Sequence, residues 1–247
     1  MAISDLPGYI QGYKFTDSAA FYNSAGNYFI DQAGYSDFPA SRLEITDSTP
    51  SFVDVNAARG MVLNNTCQGL LNVPIKWGGS AITVWGAPSR FGTNGSLFPV
   101  ICGANPTETG NGLFYLNRAS AASYRHYFRS QGGVATEYAQ HADDAIYASC
   151  GAIDQENRTV AAMNSAGTIR TSAAVADNNI GLALNSTVEN GVYGSRDRFG
   201  NLDGGFGTTA VANTMIICEL HFFSGVLTDA PTTAVEAELV ALEAIYG

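Results

Sequence analysis

An all-β sandwich of two antiparallel sheets, closed by a short C-terminal α-helix, is the architecture this sequence predicts. Three observations carry that expectation. Short apolar stretches recur along the chain, each bounded by Gly, Pro, Asn or Ser. No Pro- or Ser-rich linker divides them. The chain closes with an apolar strand, Met215–Phe223, a turn, Ser224–Asp229, and an amphipathic segment, Ala230–Tyr246, before Gly247.

The terminal segment is the most tightly argued element. Thr228 or Asp229 can cap exposed backbone N–H groups, and Pro231 falls in the first turn, where its missing N–H costs nothing. Val235, Leu239, Leu242 and Tyr246 recur at helical spacing, whereas Glu236, Glu238 and Glu243 lie off that stripe. Such a stripe predicts a helix laid on the sandwich.

Residues 1–50 supply Tyr9, Tyr13, Phe15, Phe21, Tyr22, Tyr28, Phe29, Tyr35 and Phe38, with turn signals at Pro7-Gly8, Ser24–Gly26 and Gly34. That aromatic supply predicts an arm and early strands integrated with the sandwich, ahead of a main domain over 51–247. Strands are then expected at Met61–Leu63, Leu70–Ile75, Ala81–Trp85, Leu97–Cys102 and Gly112–Leu116. In Tyr124–Arg129, Tyr124, His126 and Phe128 share one face and Arg125, Tyr127 and Arg129 the other. Ala145–Cys150 and Arg158–Met163 follow, with Thr168–Thr171 returning as a hairpin partner. Ile180–Leu184 precedes a Gly-rich loop from Asn190 to Gly207.

Composition narrows the function classes. Charged residues make up 14% of the chain, and its lysines are Lys14 and Lys76 alone. Asn, Ser, Thr, Gly and Tyr must cover the surface, which suits wet contact with sugars or neighbouring subunits, or marks a merely low-charge protein. A formal net charge of -10 without a Lys/Arg run disfavours nucleic acid. No apolar run is long enough to span a bilayer, so no membrane partner is expected. The start has no basic segment followed by an apolar stretch, and a secretory signal is therefore not expected. Cys67, Cys102, Cys150 and Cys218 could form two disulfides; four buried thiols is the preferred reading.

Four stretches together resemble a concanavalin A-like jelly roll of the laminin-G-like type, in the compact form found in bacterial and tailed-phage proteins. They are Met61–Pro74, Ser80–Trp85, Ala145–Ala174 and Ile216–Gly247. The last, with Glu219-Leu220 in a strand, Leu227-Thr228-Asp229 and a helix closing on Ile245-Tyr246-Gly247, is the most specific. The resemblance covers about residues 50–247. It implies a carbohydrate binder, an adhesion module, a polysaccharide-cleaving enzyme or a structural part of a virus particle, and fold alone does not choose among them. The absent signal and neutral surface favour a non-enzymatic tailed-phage virion component: a capsid decoration or tail-associated protein, assembled in the host cytoplasm. Its partners would be other virion proteins through self-association or lattice contacts, with a cell-surface glycan as a further partner. The alternative is a lectin or receptor-binding module; a polysaccharide-cleaving enzyme ranks below both.

Candidate chemistry is sparse. Glu219 and His221 stand two apart in a strand and so share a face. A buried Glu219 could serve as a general acid oriented by His221. The simpler reading has the two hydrogen-bonding each other or an arginine such as Arg125, and no second carboxylate is offered nearby. His141, in Gln140–Asp144, has metal-ligand neighbours but no third ligand in a fitting place, which reads as a solvated loop. No cofactor is expected, although calcium is a candidate at Asp197, Asn201 and Asp203. Ser165 and Ser195 lack a nucleophile motif. For glycan binding the stacking groups are Trp77, flanked by Gly78-Gly79, and Tyr193, whereas Trp85 reads as core.

Overall fold

The computed structural model describes residues 5, 9–32, 42–45, 49–56, 58–63, 69–71, 81–89, 97–102, 112–120, 123–129, 135–141, 148–154, 159–164, 169–171, 197–199, 215–224 and 229–246. The first strands among them are β1 (Tyr9–Lys14), β2 (Tyr22–Asn23), β3 (Tyr28–Ile30), β4 (Arg42–Ile45), β5 (Ser51–Val55) and β6 (Ala58–Leu63). Next come β7 (Gly69–Leu71), β8 (Ala81–Ser89), β9 (Leu97–Cys102), β10 (Gly112–Ser120), β11 (Ser123–Arg129) and β12 (Ala135–His141). The chain continues through β13 (Ser149–Asp154), β14 (Thr159–Asn164), β15 (Ile169–Thr171), β16 (Asp197–Phe199) and β17 (Met215–Ser224) to α1 (Asp229–Tyr246). No described helix is long and apolar enough to cross a membrane.

The strands form two antiparallel sheets, as the alternating pattern predicts. One runs β15-β14-β13-β8-β17-β6-β5, and the other β12-β11-β10-β9-β16-β7-β4-β3-β2. The second curls at one end, bringing β11 and β12 against β13, β14 and β15 of the first.

Strand β17 organises the first sheet. One edge pairs with β8; the other is shared, with β6 along Met215–Ile217 and β1 along Glu219–Phe223. Opposite β8, Ile217 aligns with Pro88 and Leu220 with Gly86, so Cys218 and Glu219 together face Ala87 alone. This bulge sits beside the one residue of β8 that cannot donate a ladder hydrogen bond. It accommodates Pro88 as β8 continues past Trp85, the end expected from the sequence, through Gly86 to Ser89.

Between the sheets lies an aromatic core. Phe15 meets Phe29 edge-on at 5.0 Å, and Phe29 packs on Tyr22 at 4.9 Å and on Phe52 at 6.1 Å. Phe29 and Phe15 are fully buried, with Tyr13, Leu43 and Met61. Ile216 through His221 is buried without interruption, the mark of a strand covered on both faces. Helix α1 lies against β6, β8 and β14 of the first sheet, and its Tyr246 reaches Glu219 of β17. Leu242 and Tyr246 of the expected helical stripe are buried, whereas Val240 and Ile245 point outward.

Other expectations need correction. Ala145–Cys150 is displaced to Ser149–Asp154, and strands β12 and β16 were not foreseen. His141 therefore ends a strand, opposite Tyr124, instead of lying in a loop. The expected strand at 180–184 lies outside the described residues. Cys150 and Cys218 are both buried, and Cys67 lies outside the described residues.

Candidate functional site

Two polar constellations stand out among the described residues. The first is buried under α1. The Glu219–His221 pair shares a face of β17, and β1 runs antiparallel beside it with Lys14 opposite Glu219 and Gly12 opposite His221. Glu219 is 2% exposed and His221 fully buried. His221 Nε2 lies 2.7 Å from Glu219 Oε2, and the Tyr246 hydroxyl donates to Oε1 at 2.6 Å. Lys14 Nζ stands 3.6 Å from the same Oε1. Tyr9 closes the line, its hydroxyl 3.0 Å from His221 Nδ1.

Burial alone would push the Glu219 carboxyl up. The hydrogen bond and charge of His221, the Lys14 ammonium and the Tyr246 hydroxyl outweigh it and hold the group below its ordinary value. An ionised carboxylate can only accept, so His221 Nε2 carries a proton. Burial first, then the charges of Asp31 and Glu219, raises Tyr9, which stays protonated with its hydroxyl facing His221 Nδ1. Tyr246 is raised by burial and then by the Glu219 charge.

Gly12 makes this line possible. A Cβ at that position would run into the Tyr9 hydroxyl and His221 Nδ1. The Gly12 N–H donates to Asp31 Oδ1 at 3.0 Å, and its carbonyl accepts from Gln32 at 2.8 Å, so the outer edge of β1 is covered. The cluster draws on β1, β17 and α1 at once. Its carboxylate is buried, with a hydrogen-bond partner on each oxygen.

The second constellation is half-exposed on β2–β4. Asn23 Nδ2 donates to the Tyr28 hydroxyl at 2.9 Å, and Tyr22 donates to Asn27 Oδ1 at 2.7 Å. Arg42 lies 4.8 Å over the Tyr28 ring and pairs with Glu44. Asn27, with its backbone in the left-handed region (φ 52°), is tied through both side chain and main chain to Ile45. These groups satisfy one another and stiffen the edge of the second sheet.

The sequence-predicted sites fare unevenly. Glu219 and His221 do hydrogen-bond each other, but the cation beside them is Lys14; Arg125 sits in the other sheet. Trp77, Tyr193, Asn201 and Asp203 lie outside the described residues. Asp197 is not a loop residue: it opens β16, paired with Leu71. Among the described residues no three His, Cys, Asp or Glu gather as a metal site. Sequence reasoning missed Tyr9 and Tyr246 as partners of Glu219, and only the helical stripe ending at Tyr246 hinted at one of them.

No protein-family model matches the chain, and a search of curated proteins finds no similar sequence. Solved structures do share its fold. Across 95% of this chain it is similar to the receptor-binding domain of botulinum neurotoxin type G, with TM-score 0.56 and 12% identity, over 51% of that chain. The botulinum neurotoxin serotype D ligand-binding domain in complex with N-acetylneuraminic acid matches 94% of this chain and 51% of its own, with TM-score 0.55 and 9% identity. The sialidase of Trypanosoma rangeli matches 95% of this chain and 33% of its own, with TM-score 0.56 and 10% identity. This chain thus spans about half the length of the neurotoxin domains and a third of the sialidase. At these identities the likeness shows the fold: a lectin-like jelly-roll sandwich. It also overturns the tailed-phage virion reading, since these likenesses are to toxin receptor-binding domains and sialidases, not to particle proteins. The low-charge surface that favoured lattice contacts suits sugars equally, so composition could not separate the two.

Proposed function

We propose that this protein binds a cell-surface glycan without cleaving it. The observation that carries the reading is the likeness, along 94% of the chain, to a ligand-binding domain in complex with N-acetylneuraminic acid. Composition supports it: a surface rich in Asn, Ser, Thr and Tyr loses little on desolvation against sugar hydroxyls. Non-enzymatic binding is supported by the state of the Glu219–His221 pair, buried and bonded on every side. Trp77 and Tyr193 are assigned the stacking role, because an aromatic face suits the C–H face of a sugar ring. Calcium, if held, belongs to the segment from Asp197 through Asn201 to Asp203.

A glycan array carrying neutral and sialylated oligosaccharides tests the reading, run with calcium and with chelator. Binding to a defined glycan set, lost on Trp77→Ala or Tyr193→Ala, is the expected result. A blank array, or binding untouched by both substitutions, rejects the proposed function or the assigned residues respectively. Release of reducing sugar from any bound polysaccharide would reject the non-enzymatic assignment.

A further inference from the structure

The geometry of the buried cluster links the first strand and the terminal helix to one strand. From β1 come Tyr9 and Lys14, from α1 comes Tyr246, and both elements converge on Glu219 and its neighbour His221. Each Glu219 oxygen accepts: Oε2 from His221, Oε1 from Tyr246, with Lys14 beside Oε1. We propose that this cluster is a proton-operated clasp, in which protonation of Glu219 loosens the C-terminal helix and the first strand together.

The reasoning follows the donors and acceptors. A protonated carboxyl is neutral, so the charge-assisted bonds from His221 and Tyr246 weaken to ordinary ones, even where the Tyr246 hydroxyl turns to accept. Protonation also withdraws the charge that holds Lys14 against β17. The anchor that Lys14 and Tyr246 share at Oε1 is weakened in one step. The carboxylate is therefore the element that decides. Among the described residues, other ionisable groups at the cluster include Asp31 and Tyr13, which act on Tyr9, and Cys218, whose thiol is raised by burial and then by the Glu219 charge. Glu243 of α1 is engaged elsewhere, accepting from the Ala148 N–H at 3.1 Å. That contact and the buried Leu242 limit the motion to loosening and fraying.

Hydrogen exchange followed by mass spectrometry on the full chain tests the clasp, with protection factors corrected for the intrinsic rate at each pH. Between neutral and acid pH, protection is expected to fall in residues 9–14 and 229–246 together, while residues 22–30 and 42–45 stay protected. The loss tends to about tenfold for each unit by which the Glu219 pKa differs between docked and loosened forms. Glu219→Gln should show at neutral pH the exchange that the parent shows in acid, with no further loss on acidification. Should that variant fail to fold, Tyr246→Phe keeps the ring and removes only the helix's bond to the carboxylate, so the acid response should persist in 9–14 and vanish from 229–246. Unchanged protection in both segments, loss in only one of them in the parent, or uniform loss across the molecule overturns the proposal.

Discussion

Replacing Gly12 with Ala puts one methyl group where the structure has no room. The site is an ordinary strand position, so the cost is steric and not conformational. Relieving backbone entropy in the unfolded chain would by itself stabilise Ala by about 0.4–1 kcal/mol. Against that, the added methyl collides with the Tyr9 hydroxyl and His221 Nδ1. Overpacking of this kind costs about 1–3 kcal/mol. If Tyr9 swings away, a buried imidazole nitrogen loses its partner, a further penalty of about 1–3 kcal/mol. The net is a loss of about 3 kcal/mol, which lowers the Tm of a chain this size by roughly 6–12 °C. Urea denaturation and calorimetry measure it. Because the tightest part of the clash is with the hydroxyl, Tyr9→Phe should recover part of the loss in the double variant, with a coupling of about 0.5–2 kcal/mol. A Gly12→Ala protein within about 0.5 kcal/mol of the parent, or strictly additive single variants, would show that the Tyr9–Gly12–His221 contact does not hold β1 in place.

Two further predictions rest on burial and charge. Glu219 has a folded-state pKa below its ordinary value of 4.5, so its contribution to stability is complete above that value and is lost as pH falls through the lowered one. The stability gap between the parent and Glu219→Gln, from denaturant midpoints, should therefore be widest near neutral pH and close in acid; a constant gap would argue against an ionised Glu219. Leu242 is 5% exposed and Val240 51% exposed on the same helix. Leu242→Ala should cost about 2–5 kcal/mol and Val240→Ala no more than about 0.5 kcal/mol, and equal costs would mean α1 does not present the Leu242 face to the sheet.

Legibility followed the range of the signal. The strand Met215–Phe223 and the helix ending at Tyr246 could be read because period-two and period-3.6 patterns need only neighbouring residues. Strand β8 was cut short in the reading because Gly86 and Pro88 are local breakers; the bulge at Cys218–Glu219 that accommodates Pro88 belongs to another strand. Strand β12, Ala-Thr-Glu-Tyr-Ala-Gln-His, has too few apolar residues to announce itself and is held by its register with β11. Strand β16 is three residues amid glycines, made a strand only by β7 on one side and β9 on the other.

The Glu219 cluster divides in the same way. That Glu219 and His221 share a face followed from strand geometry alone, since side chains two apart project together. Burial of Tyr246 followed from the helical stripe. What closes the cluster did not: Tyr9 lies 212 positions from His221, and Lys14, not Arg125, stands at the carboxylate. Local patterns specify which residues turn inward, because that depends on backbone period and the transfer of apolar surface from water. They leave open which inward-facing residues meet. That is decided by strand order and register, here by β1 taking the half-edge of β17 that β6 leaves open.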